Sequence, residues 1–145
     1  MNWVKRLAGR TVAVDSAPLI YFVERHPNFF ASVHPFFEAL DRAYFKALTS
    51  TVTITEALVH PLRHGRAALA DVYREIFANY LPAFPVTAEI AEAAAKLRAD
   101  NNLRTPDAIQ IATAITCRAD FFLTNDARLG RLKQPEVLVL TDLKS

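Results

Sequence analysis

Apolar residues along this chain fall into two kinds of run. Short unbroken ones, of strand length, occur at residues 11–14, 51–54, 121–124 and 137–140. They are β-branched, aromatic or Leu-rich without polar alternation, the pattern of strands buried on both faces. Residues 84–86 are a weaker strand candidate, and Pro85 assigns them to an edge. Between these runs apolar residues recur at helical spacing. Leu19, Ile20 and Val23 mark a helix that ends near His26 and Pro27. A second helix is predicted to begin near Pro35, with Phe36, Phe37, Leu40, Ala43, Tyr44, Ala47 and Leu48 on its apolar side. A short one over 56–60 stops before Pro61, and a longer one over 66–79 turns Leu69, Val72, Tyr73, Ile76 and Phe77 inward. Thr87 caps an alanine-rich helix over 88–99. Thr105 caps another, with Pro106 at its first position and Ala108, Ile111, Ala112 and Ile115 on one face. Strands alternating with helices predict a single α/β domain spanning 1–145, with a mainly parallel central sheet and helices on both faces.

The polar residues that end these runs carry the chemistry. Asp15 directly follows the first strand run, Glu56 lies two residues beyond the second, and Asp126 two beyond the run at 121–124. In a parallel sheet, sites form at the carboxyl ends of the strands, so all three acids reach one edge. Asp107, opening the helix that precedes the Asp126 strand, belongs to the same edge. Each acid alone has an ordinary reading. Asp107 and Glu56 suit the first turn of a helix, Asp126 suits a turn after Asn125, and Asp15 suits a cap, although Ser16 is available for that task. Together they describe a carboxylate cluster. Such a cluster repels itself unless a cation intervenes. Oxygen ligands with no His or Cys among them select Mg²⁺ or Mn²⁺ over zinc.

Composition narrows the alternatives. Of the 145 residues, 52% are hydrophobic and only 3 are glycine, which leaves no phosphate-cradling glycine loop. Cys117 has no partner for an internal disulfide, and the start of the chain lacks the apolar core of a secretory signal. No apolar run approaches membrane-spanning length. These features predict a cytoplasmic protein with no membrane partner. A net charge of +2 permits a nucleic-acid partner without requiring one. Arg104, Arg128 and Arg131 flank the acidic positions and are candidates for holding RNA phosphates, with exposed surface arginines as the plainer alternative. Cys117 is expected to be a buried, inert thiol. His60 and His64 are four apart, but Pro61 and Gly65 argue against a shared helix and a zinc site. Tyr21, Phe22, Phe29, Phe30, Phe36, Phe37, Tyr44 and Phe45 make one segment strongly aromatic. Core packing and a partner groove both call for such a segment.

Four segments, VAVDSAPLI, TVTITEAL, RTPDAIQIATA and FFLTNDARL, resemble in order and spacing the motifs of the PIN-domain nuclease family, and within it VapC-type toxins. The resemblance covers nearly the whole chain. It implies a three-layer α/β/α fold and an Mg²⁺-dependent endoribonuclease, with Mn²⁺ able to substitute, that hydrolyses RNA by metal-activated water. It also implies an antitoxin partner and a homodimer. Position by position, Asp15, Glu56, Asp107 and Asp126 match the acidic metal ligands and catalytic residues, and Ser16 and Thr124 match the small hydroxyl positions beside them. Two alternatives are a PIN fold that binds RNA or protein without cutting and a phosphatase with a covalent aspartate. The second is disfavoured because Asp15-Ser16-Ala17 lacks a second acid two residues on. The role of residues 1–10 is not assigned by the resemblance.

Overall fold

A computed structural model describes residues 3–143. Five strands form one all-parallel sheet: β1 (Thr11–Val14), β2 (Lys46–Ser50), β3 (Ala83–Phe84), β4 (Phe121–Thr124) and β5 (Glu136–Val139). Their order across the sheet is β3-β2-β1-β4-β5. The chain therefore builds outward from β1 in one direction, then returns to β1 and builds outward in the other. Val12 pairs with Ala47 on one side and with Phe121 on the other.

Six α-helices cover the two faces: α1 (Ser16–Val23), α2 (Phe30–Asp41), α3 (Thr51–Arg63), α4 (Ala67–Asn79), α5 (Ala88–Asp100) and α6 (Thr105–Thr116). Period-two alternation decides which residues meet which layer. Val12, Val14, Phe121, Leu123 and Leu138 join a core with Leu19, Phe36 and Tyr73 from α1, α2 and α4. Ala13 and Phe122 face the other way, against Ile90 and Ala94 of α5 and Ala108, Ile111 and Ala112 of α6. The three-layer sandwich is thus the expected one. A 3-10 turn over Trp3–Leu7 buries Trp3, Val4 and Leu7 in the first core, and Trp3 stacks on Phe36 at 5.9 Å. That gives residues 1–10, apart from the undescribed first two, a packing role.

Several boundaries differ from the sequence reading. The second strand is Lys46–Ser50, and residues 51–54 are instead the first turn of α3. Ser50 caps that helix by accepting from the Val52 N–H at 3.1 Å, and Thr53, Ala57 and Pro61 form its buried stripe at a spacing of four. Tertiary pairing outweighs β-propensity here, because Lys46–Ser50 finds partners on both sides. α2 starts at Phe30, carries Pro35 inside it and ends at Asp41. Ala43 follows with φ +58°, a left-handed residue that turns the chain into β2 and moves Ala47 and Leu48 from helix to strand. α3 likewise runs through the buried Pro61 rather than stopping before it. In α6, Arg104 rather than Thr105 takes the N-cap position without a side-chain cap, and Ile115 is 46% exposed, outside the buried face. Val72 of α4 is exposed as well, its expected place taken by Ala70.

Candidate active site

The cleft of interest opens where the sheet changes direction, between the carboxyl ends of β1 and β4. This is the position at which open parallel sheets bind ligands. Asp15 emerges from β1 with its backbone N–H held by the Leu123 carbonyl at 2.9 Å. Its Oδ2 accepts from the Thr124 hydroxyl at 2.7 Å, and Oδ1 from the Ser16 N–H at 2.8 Å. Asp15, not Ser16, therefore caps α1. Ser16 donates instead to Glu56 through a short hydrogen bond. Glu56 reaches the cleft from the second turn of α3, not from a strand end. Asp107, on the first turn of α6, is 6% exposed. Asp126 follows β4, its N–H bonded to Thr124 Oγ1 at 3.1 Å. The four acids, Ser16, Thr124 and Arg104 line one cavity of about 420 Å³.

Beneath the acids lies a buried polar network absent from the sequence reading. Thr53 Oγ1 stands 3.0 Å from Ser16 Oγ, 2.8 Å from Thr49 Oγ1 and 2.7 Å from the Gln110 amide nitrogen. Thr49 donates to the Val14 carbonyl at 2.7 Å. Both ends of the chain, Val14 O and Glu56, are acceptors. They claim the Thr49 and Ser16 protons, so the single Thr53 proton serves one of its two hydroxyl neighbours at a time. The Gln110 amide donates to Thr53 Oγ1 and holds it in place, and among the described residues no buried side-chain polar atom lacks a partner. The available signal was Gln110 itself, a polar residue three positions after Asp107 on an otherwise apolar helix face.

The electrostatics separate the acids. Burial pushes Asp15 up to about 6; the hydrogen bonds from Thr124 and Ser16 oppose the shift, and the nearby Asp107 and Glu56 charges add to it. Asp126 moves the other way, held below the usual carboxylate range chiefly by its bond from Arg128. Both Asp107 and Asp126 are gripped by two-pronged guanidinium contacts. Arg104 donates to Asp107 through Nε at 3.0 Å and Nη2 at 3.4 Å. Arg128 donates to Asp126 through Nε at 3.0 Å and Nη2 at 2.7 Å. Arg131 stands apart, donating to the Arg128 carbonyl at 3.3 Å. Among the described residues no three His, Cys, Asp or Glu side chains are drawn together as a ready ligand group.

Residues 12–135 match the PIN domain family. The chain belongs to that family. Solved structures with the same fold include a toxin–antitoxin complex from Klebsiella pneumoniae, with 21% identity over 89% of this chain and 97% of that one, at a TM-score of 0.71. VapBC2 from Rickettsia felis, solved with a fragment of promoter DNA, is 16% identical over 89% and 98%, also at 0.71. VapC20 of Mycobacterium tuberculosis, described as a toxin that cleaves the sarcin–ricin loop, is 14% identical over 77% and 86%, at 0.63. No curated protein matches the chain significantly.

Away from this PIN cleft, the other singled-out residues have plainer surroundings. The His60 and His64 rings lie 4.6 Å apart at the end of α3, and His60 Nε2 is 3.9 Å from Glu24. Cys117 is half-buried rather than buried, and burial pushes its thiol pKa up, which keeps it protonated. The aromatic segment is largely internal stacking. Phe36, Phe37 and Phe45 are buried, Phe22 stacks on Phe37 at 4.4 Å, and Tyr44 is exposed. No helix among the described residues is long and apolar enough to cross a membrane.

Proposed function

We propose that this PIN-domain chain is a divalent-cation-dependent endoribonuclease and the toxin of a toxin–antitoxin pair. The observation that carries the reading is the convergence of Asp15, Glu56, Asp107 and Asp126, from four separate segments, on one cleft at the sheet's switch point. The donor chemistry fits a hard cation. The cleft's acidic ligands are four carboxylates, no His or Cys lines it, and Asp15 shows the raised pKa of a buried carboxylate beside like charges. These four acids would hold Mg²⁺, or Mn²⁺ in its place. When bound, the ion supplies a water nucleophile at neutral pH and offsets charge on the phosphodiester.

The chain's own groups prepare the site. Thr124 and the Ser16 N–H fix both oxygens of Asp15, Ser16 fixes Glu56, and the buried Thr53–Gln110 pair fixes Ser16. Arg104 in the cleft, with Arg128 on Asp126 and Arg131 beyond it, would offer positive charge to RNA phosphates. No histidine lines the cleft, so the acid–base route through the RNA's own 2′-hydroxyl lacks the residue pair that typically runs it. Cleavage should leave 5′-phosphate and 3′-hydroxyl ends and stop with EDTA. An RNA with one 2′-deoxy sugar 5′ of the scissile bond should still be cut, more slowly; complete loss together with 2′,3′-cyclic ends on the unmodified RNA would refute the mechanism.

The antitoxin partner is supported by the solved complexes that share the fold. A largely apolar groove of about 380 Å³ between α1, α2 and α4, lined by Phe22, Phe37, Leu40, Ile76 and Tyr80 with His34, Glu38 and Asp41 beside them, suits an amphipathic helix from such a partner. Co-purification with the product of the adjacent reading frame tests this, and sedimentation of the chain alone tests the homodimer.

A further inference from the structure

Two of the four acids already carry a counter-ion, each an arginine of the same chain. Asp107 offers both oxygens to Arg104, and Asp126 offers both to Arg128. Each guanidinium also feels the other's acid, so two positive and two negative groups form one charge cluster. Nothing else in the described structure fixes these arginine side chains, and both are 68% exposed. Asp15 and Glu56 have no such partner. We propose that Arg104 and Arg128 act as internal counter-ions that compete with the divalent cation for Asp107 and Asp126, so that cation binding frees the two guanidinium forks for RNA phosphate. This rests on the reading of the cleft as a cation site.

The physical argument is one of competition. A planar fork satisfies both oxygens of a carboxylate and leaves it little capacity to ligate anything else. The guanidinium of each pair is exposed and screened by water, so a doubly charged ion competes effectively for the carboxylate. Once released, each arginine keeps its charge and its five donors at the cleft mouth, where a phosphodiester lies when the ion is held beneath it. The protein therefore masks Asp107 and Asp126 without the metal, and it presents phosphate donors only with the metal in place. Cation and RNA should bind cooperatively, because each removes a partner that the other would have to displace.

The sign of the effect makes this testable on the full chain. Mn²⁺ binding without RNA, followed by electron paramagnetic resonance, should tighten about two- to five-fold in Arg104→Gln and in Arg128→Gln, and further in the double variant. Arg131→Gln removes the same charge nearby but frees no carboxylate, so it should leave Mn²⁺ affinity within about 1.5-fold, as expected for an arginine outside the competition. Addition of Mg²⁺ to wild type should shift the Nε–H resonances of Arg104 and Arg128. Equal tightening in Arg131→Gln, or unchanged affinity in the double variant when wild type binds, would overturn the competition and leave the cation site standing. Binding by the double variant alone would support it strongly. No binding by either protein would overturn both readings.

Discussion

Two pairs of acids in this cleft are held by opposite means. Asp15 and Glu56 are held by hydroxyls and a backbone N–H, with Thr53, Thr49 and Gln110 buried behind them. Asp107 and Asp126 are held by arginines that are themselves 68% exposed. The difference follows from where the donors sit. Ser16 and Thr124 are buried, where a guanidinium would lose its hydration and need several further partners, whereas neutral donors satisfy an acid there at little desolvation cost. Arg104 and Arg128 reach their acids from the solvent side and keep most of their hydration. Hence burial raises Asp15 while arginine lowers Asp126. The first pair stores charge repulsion for a ligand to relieve; the second already has its counter-ions.

The largest effect that would break this contrast is at Asp15. Asp15→Asn should lower cation-dependent cleavage by more than about 100-fold, beyond the loss typical of residues that merely orient a ligand. It should also raise the metal-free protein's stability at pH 7 by about 2–3 kcal/mol, the value of moving a carboxyl from 3.8 to about 6. The sign is that of a raised acid. The protein without metal gains stability as pH falls from above 6 towards 4, because the folded state takes up the proton first. Melting curves across that window should show the gain in wild type and its absence in Asp15→Asn. Asp126, being lowered, contributes in the opposite sense, losing stability only as pH falls below the usual carboxylate range.

A smaller effect sharpens the hydroxyl-held pair. Thr53→Val removes the hydroxyl that accepts from Gln110 and links Ser16 to Thr49. Stranding the buried amide should cost about 1–3 kcal/mol in chemical denaturation, while Thr53→Ser restores most of it. The smallest effect belongs to the arginine-held acids. Arg128→Gln should leave the melting temperature almost unmoved, since its guanidinium lies in water, and Arg104→Gln should lower it slightly more, because the Asp107 behind it is buried. A large loss in either would mean that the pair is structural.

The sequence made the two central strands readable because each is short, continuously apolar and followed at once by an acid or a turn. The second strand was misread for a physical reason. Lys46–Ser50 has weak strand propensity and owes its state to neighbours on both sides, whereas the β-branched residues 51–54 tolerate a helix once Ser50 caps it. Glu56 still reaches the cleft, since the helix puts it three residues after Thr53 on the same face. The hydroxyl network was not legible because it joins four segments whose mutual placement only the fold determines. The arginines were visible as charges near acids, but their two-pronged grip depends on side-chain geometry.

The strand order has a consequence for how the protein is made. Asp15 and its partner Thr124 lie 109 residues apart in the chain, yet β1 and β4 are direct neighbours in the sheet. The early half of a nascent chain can pair β1 with β2, but it carries neither Asp107 nor Asp126. The cleft closes only when the last third has been translated and inserted beside β1, a long-range pairing that is slow by nature. A site organised this way stays incomplete while the ribosome is still making the chain.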